Sequence, residues 1–319
     1  RDSDWSGSMS ENLKGTVEQL LQLVMFCRRT KIPFEVFAFS SAYFSGSYKN
    51  TVDVNYGEIT ISNNLKLLNF FSSKMSAIEE EKMMHYVWMM AKRMNRTYED
   101  FNETGYPALW PRQYSLGGTP LNDALIVLND FVVEYKKSSG VQKLNTIFLT
   151  DGASNQLYGV KDEGGFQGFS RENLLIDPYN NKQYRFSSSE ITDTLLKVLK
   201  NRVSGMNVVG FFLAGSGRNG TINKNTWYYL LRGSKENYWN AIENAKRTMR
   251  KDKVVILDSK GYDQYYILPG GQQLSVDNEG LSDDLVGASK SKLKSAFAKS
   301  NKNRIQSRVL LNKFVEMVA

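Results

Sequence analysis

The alternation of short apolar runs with longer amphipathic segments constrains the fold of this chain most strongly. The apolar runs are rich in aromatic and β-branched residues, as buried strands are, and lie at 34–39, 144–150 and 207–213. The amphipathic segments repeat apolar residues at helical spacing and lie at 10–31, 75–94, 120–137, about 189–203 and 223–250. Strands separated by helices of this length favour an α/β fold with a doubly wound, largely parallel sheet that helices cover on both faces.

The rest of the sequence shows weaker secondary-structure patterns. Further strands are predicted at 51–55, 58–62, 254–257 and 265–268. We expect one domain over 1–287, with loop insertions at about 40–72 and 153–188. The segment 288–319 combines basic residues with apolar residues at helical spacing, which predicts a basic amphipathic helix packed on that domain. A contact with an acidic protein or a nucleic acid is the alternative interpretation of this segment.

Composition excludes several classes of protein. Of the 319 residues, 41% are hydrophobic and 23% charged, which is typical of a soluble globular protein. No apolar run of about 18 residues and no signal-like start is present, so we expect a cytoplasmic protein without a membrane partner. Cys27 and His85 are the single cysteine and the single histidine, which excludes an internal disulfide and a Cys/His zinc site. Any bound metal must therefore have oxygen ligands.

Polar side chains with metal-binding chemistry are concentrated in three loop segments, at 4–8, 117–120 and 150–152. Loops at the carboxyl ends of neighbouring parallel strands meet in one crevice, so these segments can converge. They supply Asp4, Ser6, Ser8, Thr119 and Asp151. Mg²⁺ or Mn²⁺ prefers such oxygen ligands, and hydroxyl ligands leave the cation electrophilic. The alternative is that Asp4, Ser6 and Ser8 form a helix cap, Thr119 another cap, and Asp151 an Asp-Gly turn. Ser10 is a separate cap candidate for the first helix.

These segments together resemble a von Willebrand factor A domain with a metal-ion-dependent adhesion site, whose pattern is Asp-x-Ser-Gly-Ser, a separate Thr, and an Asp followed by Gly. The resemblance implies direct coordination by Ser6, Ser8 and Thr119, and coordination through waters by Asp4 and Asp151. It leaves one position for a carboxylate of a partner. The family has a buried apolar strand before the first Asp, whereas residues 1–3 here are polar. We therefore expect a truncated first central strand and a chain that is a fragment of a longer parent.

Within that family, residues 4–40 look closest to A domains encoded by tailed bacteriophages, which resemble the large subunit of cobaltochelatase. This resemblance implies a partner AAA+ ATPase, assembly into a hetero-oligomeric ring, and the cytoplasm of an infected bacterium as the location. The chain would act as an adaptor whose Mg²⁺ binds an Asp or Glu of the ATPase or of a client. Catalysis by the isolated chain is left open, and no catalytic residue is assigned.

Two other functions remain as alternatives. A metal-dependent hydrolase or peptidase would use the bound cation to activate water, but the sequence offers no general base beyond Asp4 and Asp151. A nucleic-acid-binding protein would suit the net charge of +8, although basic and aromatic residues do not interleave regularly. We expect His85 to be a packing residue and Cys27 to be a buried, unreactive thiol.

Overall fold

The computed structural model describes residues 2–4, 6–41, 55, 57–59, 61–62, 64–94, 114–155, 157, 160–162, 165–167, 169, 171–214, 222, 224–231, 237–258 and 261–270. The predicted C-terminal helix within 288–319 lies outside these residues, as does most of the strand predicted at 51–55. No helix in the described ranges has both the length and the hydropathy needed to cross a membrane.

Helices lie where the amphipathic periodicity predicts them. In the described part of the chain they are α1 (Ser10–Thr30), α2 (Ala77–Met94), α3 (Leu121–Ser139), α4 (Ile191–Arg202), α5 (Lys224–Leu231) and α6 (Tyr238–Asp252). The helical region predicted at 223–250 is therefore two helices. Ser10 is the first residue of α1, and the cap position is Met9 without a side-chain bond, so the prediction of a Ser10 cap is wrong.

The strands form one large sheet and two hairpins. They are β1 (Asp2–Asp4), β2 (Glu35–Ser41), β3 (Leu65–Ser72), β4 (Leu144–Thr150), β5 (Val160–Asp162), β6 (Gly165–Gln167), β7 (Asn173–Ile176), β8 (Gln183–Phe186), β9 (Met206–Ala214), β10 (Val255–Leu257) and β11 (Gln264–Pro269). The seven-stranded sheet has the order β10-β11-β9-β4-β1-β2-β3. Its inner pairs are parallel, and the edge strands β3 and β10 run antiparallel to their neighbours. The prediction of an α/β fold with a largely parallel sheet is confirmed.

The sequence predicted a truncated first central strand, and β1 has only three residues, two of which are aspartates. It lies in the sheet because its residues pair with Phe37–Phe39 of β2 on one side and with β4 on the other. Strand β3 was missed, because its first five residues are partly or fully exposed and only Phe70 and Phe71 are buried. Its burial follows neither the alternating nor the continuous pattern of a strand.

Alternate residues of β4 enter different parts of the core. Leu144 and Phe148 pack with residues of α3 and α4, whereas Ile147 and Leu149 pack with Cys27 and other residues near α1. Successive side chains of a strand point to opposite faces, so helices cover β4 above and below. The parallel pairing of β1 with β4 places the carboxyl ends of these two strands side by side.

Asp123 provides a test of this packing through the dependence of stability on pH. It lies in the first turn of α3, is 2% exposed, and accepts a hydrogen bond of 2.6 Å from the backbone N–H of Ser62. Burial raises the pKa of Asp123, and hydrogen bonds from Ser62 and from its own backbone lower it less. A carboxyl whose pKa is raised on folding stabilises the folded state below its ordinary pKa of 3.8. That contribution is lost as the pH rises through the folded-state value.

We therefore expect Asp123→Asn to gain stability relative to the wild-type protein as the pH rises from about 3 to about 7. Urea unfolding of both proteins across this range measures the difference in the free energy of unfolding. A difference that stays constant with pH would contradict the raised pKa.

Candidate metal centre

The three polar loop segments meet at the carboxyl edge of the parallel sheet. The first segment follows β1 directly, and the third begins at the end of β4. Ser6 forms a parallel bridge with Gly117, and the backbone N–H of Gly7 donates to the Gly117 carbonyl at 2.9 Å. The second segment is thereby joined to the first. Residues separated by more than a hundred positions in sequence are thus adjacent in the fold.

A chain of hydrogen bonds connects the side chains of the first and third segments. The Oγ atoms of Ser6 and Ser8 are 2.9 Å apart, and the Ser8 hydroxyl donates to Asp151 Oδ1 at 2.8 Å. Ser6 is 2% exposed, whereas Ser8 is exposed and Asp151 half-buried. The cluster therefore extends from the protein interior to the surface, which gives a ligand access to it.

Thr119 lies beside this cluster and does not cap a helix. Helix α3 begins at Leu121, the cap position is Pro120, and no side-chain cap bond is made, so the predicted Thr119 cap is wrong. The Thr119 carbonyl instead accepts N–H bonds from Leu121 and from Asn155, at 2.9 and 2.7 Å. A Cβ placed on Gly152 would lie 3.7 Å from Thr119 Oγ1. The hydroxyl is therefore adjacent to the loop that carries Asp151.

Asp4 is placed at the same edge by its backbone. It is the last residue of β1 and pairs with Phe39 of β2. Its side chain is not among those that the structure describes. Of the predicted ligands, Ser6, Ser8, Thr119 and Asp151 are thus brought together with their side chains, and Asp4 with its main chain.

The environment of Asp151 opposes the charge on its carboxylate. Burial raises the pKa of Asp151 above its ordinary value, and hydrogen bonds from Ser8, its own backbone and Asn12 lower it less. Asn12 is 1% exposed in the first turn of α1. A partly desolvated carboxylate next to several hydroxyl oxygens is stabilised by a cation, because the cation replaces the lost hydration.

Several residues that hold the loops were missed by sequence reasoning. The hydroxyl of Ser41 accepts the N–H of Gly118 at 2.7 Å, and the hydroxyl of Ser154 accepts the N–H of Asn122 at 2.9 Å. Asn155 Oδ1 accepts the N–H of Thr119 at 3.4 Å. The sequence did contain a signal for two of these residues. Ser41 ends β2 and Ser154 follows β4 closely, and polar residues at the carboxyl ends of parallel strands often belong to a binding site.

The chemistry of the cluster fits a hard divalent cation. Its donors are hydroxyl and carboxylate oxygens, which suit Mg²⁺ or Mn²⁺ better than Zn²⁺. The described ranges contain no group of three or more His, Cys, Asp or Glu side chains that could hold a metal. Any cation here would therefore depend on the hydroxyls of Ser6, Ser8 and Thr119.

The single histidine and the single cysteine of the chain lie on helices away from this cluster. His85 is exposed on α2, so the prediction that it is a packing residue is wrong. Cys27 is 4% exposed on α1, as predicted for a buried thiol.

Comparison with known proteins gives little support for a family. No family model and no curated protein matches the chain. Two crystal structures of the pilus adhesin SpaC from Lactobacillus rhamnosus GG, one in an open conformation, align with 79% of this chain at 13% and 14% identity. Their TM-scores are 0.36 and 0.38, and the chain spans only 30% and 29% of the adhesin's length.

These findings contradict the predicted membership of the von Willebrand factor A family and of its phage-encoded, cobaltochelatase-like branch. No model of that family matches, and the described ranges contain no group of three or more His, Cys, Asp or Glu side chains that could hold a metal. The physical reason is that short Asp, Ser, Thr and Gly segments are what caps and turns at any parallel-sheet edge require. Their order in the sequence does not identify a family.

Proposed function

We propose that this protein is a divalent-cation-dependent protein-binding module. The observation that supports it best is the hydrogen-bonded series Ser6, Ser8 and Asp151 at the carboxyl edge of the sheet, with Thr119 beside it. An oxygen cluster that reaches the surface can hold Mg²⁺ and still leave a coordination position open to solvent. A partner's Asp or Glu carboxylate would take that position.

The topology of the sheet supports this placement. We propose that the sheet is doubly wound, with α1 on one face and α3 and α4 on the other. The chain leaves β1 for β2 on one side and later fills the other side of β1 with β4. Loops that leave neighbouring strands toward opposite faces open a crevice between them, and ligands of α/β proteins bind at such points. The cluster lies beyond the ends of β1 and β4.

Each residue has a role that follows from its chemistry. The hydroxyls of Ser6, Ser8 and Thr119 would hold the cation, while Asp151 and Asp4 would balance its charge. Since hydroxyls are neutral, a cation so held remains attractive to an incoming carboxylate. An AAA+ ATPase as the partner stays a prediction, and an acidic surface on any protein fits the same chemistry.

Titration with Mg²⁺ and Mn²⁺ tests the proposal. We expect Asp151→Asn to weaken cation binding by about 10- to 100-fold, the range typical when a residue that supports a metal site is lost. Asp252→Asn is the matched control, because Asp252 is an exposed carboxylate at the end of α6 and is distant in sequence from all three loop segments. Isothermal calorimetry of the three proteins measures the affinities.

A second arm tests the open coordination position. Acetate should bind the wild-type protein measurably only when Mg²⁺ is present, and Ser8→Ala should weaken cation and acetate binding together. Cation binding that survives both substitutions would overturn the assignment of the site. Cation binding without any response to acetate would overturn the protein-binding role while leaving the metal site intact.

A further inference from the structure

Helix α6 is held at the β10 end of the large sheet by one buried face. This face packs against Phe212 of β9 and Ile267 of β11, and it consists of Ala241, Ile242, Ala245 and Met249. The rest of the helix surface is exposed and basic, because five of the eight residues from 246 to 253 are Lys or Arg and only Asp252 is acidic. A dense positive charge is therefore carried on a helix that the core anchors.

Most of this charge is not neutralised within the described part of the chain. Lys246 Nζ pairs with Glu243 Oε1 at 3.0 Å. Arg247 and Arg250 are exposed and form neither an ion pair nor a side-chain hydrogen bond with another described residue. The hydrogen bond from Lys246 and the charges of Lys246, Arg250 and Arg247 lower the pKa of Glu243, which indicates a positive potential over this face. An incoming anion can therefore pair with both guanidinium groups.

Trp239 belongs to the same surface as these cations. Its side chain is 57% exposed, although Trp is highly buried on average. The Asn237 side chain accepts the N–H of Trp239 at 3.1 Å, which fixes the first turn of α6 and the position of the indole. Positions 239, 243, 246 and 250 are three or four residues apart and so form one stripe along the helix. The exposed ring is thus aligned with the basic residues.

The size and chemistry of this surface fit a single-stranded nucleic acid. Trp239 and Arg250 are eleven positions apart, which is a rise of about 16 Å along the helix. About five nucleotides cover that length at about 3.4 Å each. Arg binds a phosphate through two parallel N–H groups, and an exposed indole stacks on a base of any sequence. An acidic polypeptide would use the arginines without requiring the indole.

We propose that the face of α6 formed by Trp239, Arg247, Arg250 and Lys251 binds single-stranded DNA without sequence preference. The phosphates pair with the three cations, and one base stacks on the indole. Among the described residues of this face, the carboxylate of Glu243 that could accept a ribose 2′-hydroxyl is already paired with Lys246, so RNA gains nothing. The surface is independent of the candidate metal centre, because α6 packs on β9, β10 and β11 and the centre lies beyond β1 and β4.

Fluorescence anisotropy with a labelled oligothymidylate of about 15 nucleotides tests the role of the indole. The titration is made in EDTA at a series of salt concentrations starting from about 50 mM NaCl. We expect Trp239→Ala to weaken binding about 5- to 150-fold, the effect of losing one stacked base, and to leave the salt dependence unchanged. Trp239→Phe should retain most of the affinity, because a phenyl ring also stacks.

An abasic strand of the same length separates stacking from charge. It has the same phosphates and no bases, so the wild-type protein should bind it about 5- to 150-fold more weakly than oligothymidylate. Trp239→Ala should abolish this difference between the two strands. Asp151→Asn should leave it unchanged, which separates the proposal from the metal centre.

The double variant Arg247→Gln, Arg250→Gln tests the phosphate contacts. It should weaken binding and reduce the slope of log K against log salt by about 1.4, since each phosphate contact on a single strand contributes about 0.7. The matched control is Arg171→Gln, Arg185→Gln, which removes the same charge from two exposed arginines at the β7–β8 hairpin. The control should change the affinity less than about twofold and leave the slope unaltered.

Several outcomes would overturn the proposal. Equal loss of binding in both arginine double variants would mean that net charge alone attracts the strand. Equal affinity of the wild-type protein for the abasic strand, or displacement of oligothymidylate by polyglutamate at equal charge, would indicate an acidic polypeptide instead. Tighter binding of oligouridylate would exclude DNA as the preferred ligand. Absence of oligothymidylate binding at the lowest salt concentration would exclude the site altogether.

Discussion

Replacement of Gly117 by alanine is expected to destabilise the protein and to disrupt the candidate metal centre together. A Cβ at this position would lie 1.8 Å from the carbonyl oxygen of Ser41, a backbone atom that cannot move aside by a side-chain rotation. Ser41 ends β2 and its hydroxyl accepts the N–H of Gly118, so the clash separates two loops that hydrogen bonds now join. We expect a loss at or above the upper end of the about 1–3 kcal/mol that overpacking costs.

Gly7→Ala is the matched control for this substitution. Gly7 belongs to the same group of loops, but a Cβ there would have its nearest contact at 3.9 Å, with the carbonyl of Gly117. Urea unfolding of both variants should show a large loss for Gly117→Ala and a small change for Gly7→Ala. Equal stability of the two would contradict the close approach of 117–118 to the end of β2.

Asp177→Ala is expected to cost about 3–5 kcal/mol of stability, the range typical when one member of a buried ion pair is removed. The Asp177 side chain is fully buried, and Arg202, the last residue of α4, is 8% exposed. Asp177 Oδ1 accepts hydrogen bonds from both Nε and Nη2 of Arg202, at 3.1 and 2.6 Å. The pair connects the turn of the β7–β8 hairpin to α4. Because Arg202 is buried, removal of the Asp177 carboxylate leaves its guanidinium largely desolvated.

Asp130 offers a control on the same arginine. It also pairs with Arg202, but its side chain is 85% exposed, and an exposed ion pair contributes only about 0–1 kcal/mol. In thermal or urea unfolding, Asp177→Ala should therefore lose much more free energy of unfolding than Asp130→Ala. If both variants lose the same amount, the burial of the Asp177 pair does not determine its contribution.

Local patterns in the sequence predicted the elements well where one period runs through a segment. Helices α1 to α4 and strands β2, β4 and β9 follow from apolar residues at helical spacing or from short apolar runs bounded by turns. Strand β3 and the division between α5 and α6 did not follow. In β3 the burial changes along the strand, since its amino-terminal half is only partly covered.

The sequence suggested the residues of the candidate site but not the contacts between them. Sequence reasoning named Ser6, Ser8, Thr119 and Asp151, because hydroxyls and carboxylates after strand ends are the oxygen ligands of a hard cation. It assigned Thr119 to a helix cap as an alternative, and only the fold showed that Pro120 takes the cap position. It also missed Asn12, Ser41 and Asn155, whose roles depend on neighbours far away in the chain.

The sequence by itself determined the alternation of helices and strands, the absence of Cys/His metal chemistry, and the oxygen character of the loops, because these depend on residue type and short spacing. Only the tertiary structure decided which loops meet, which glycine has no room for a side chain, and which carboxylate is buried against Arg202. Those features depend on strand order and register, which bring together residues too distant in sequence for any local pattern to relate.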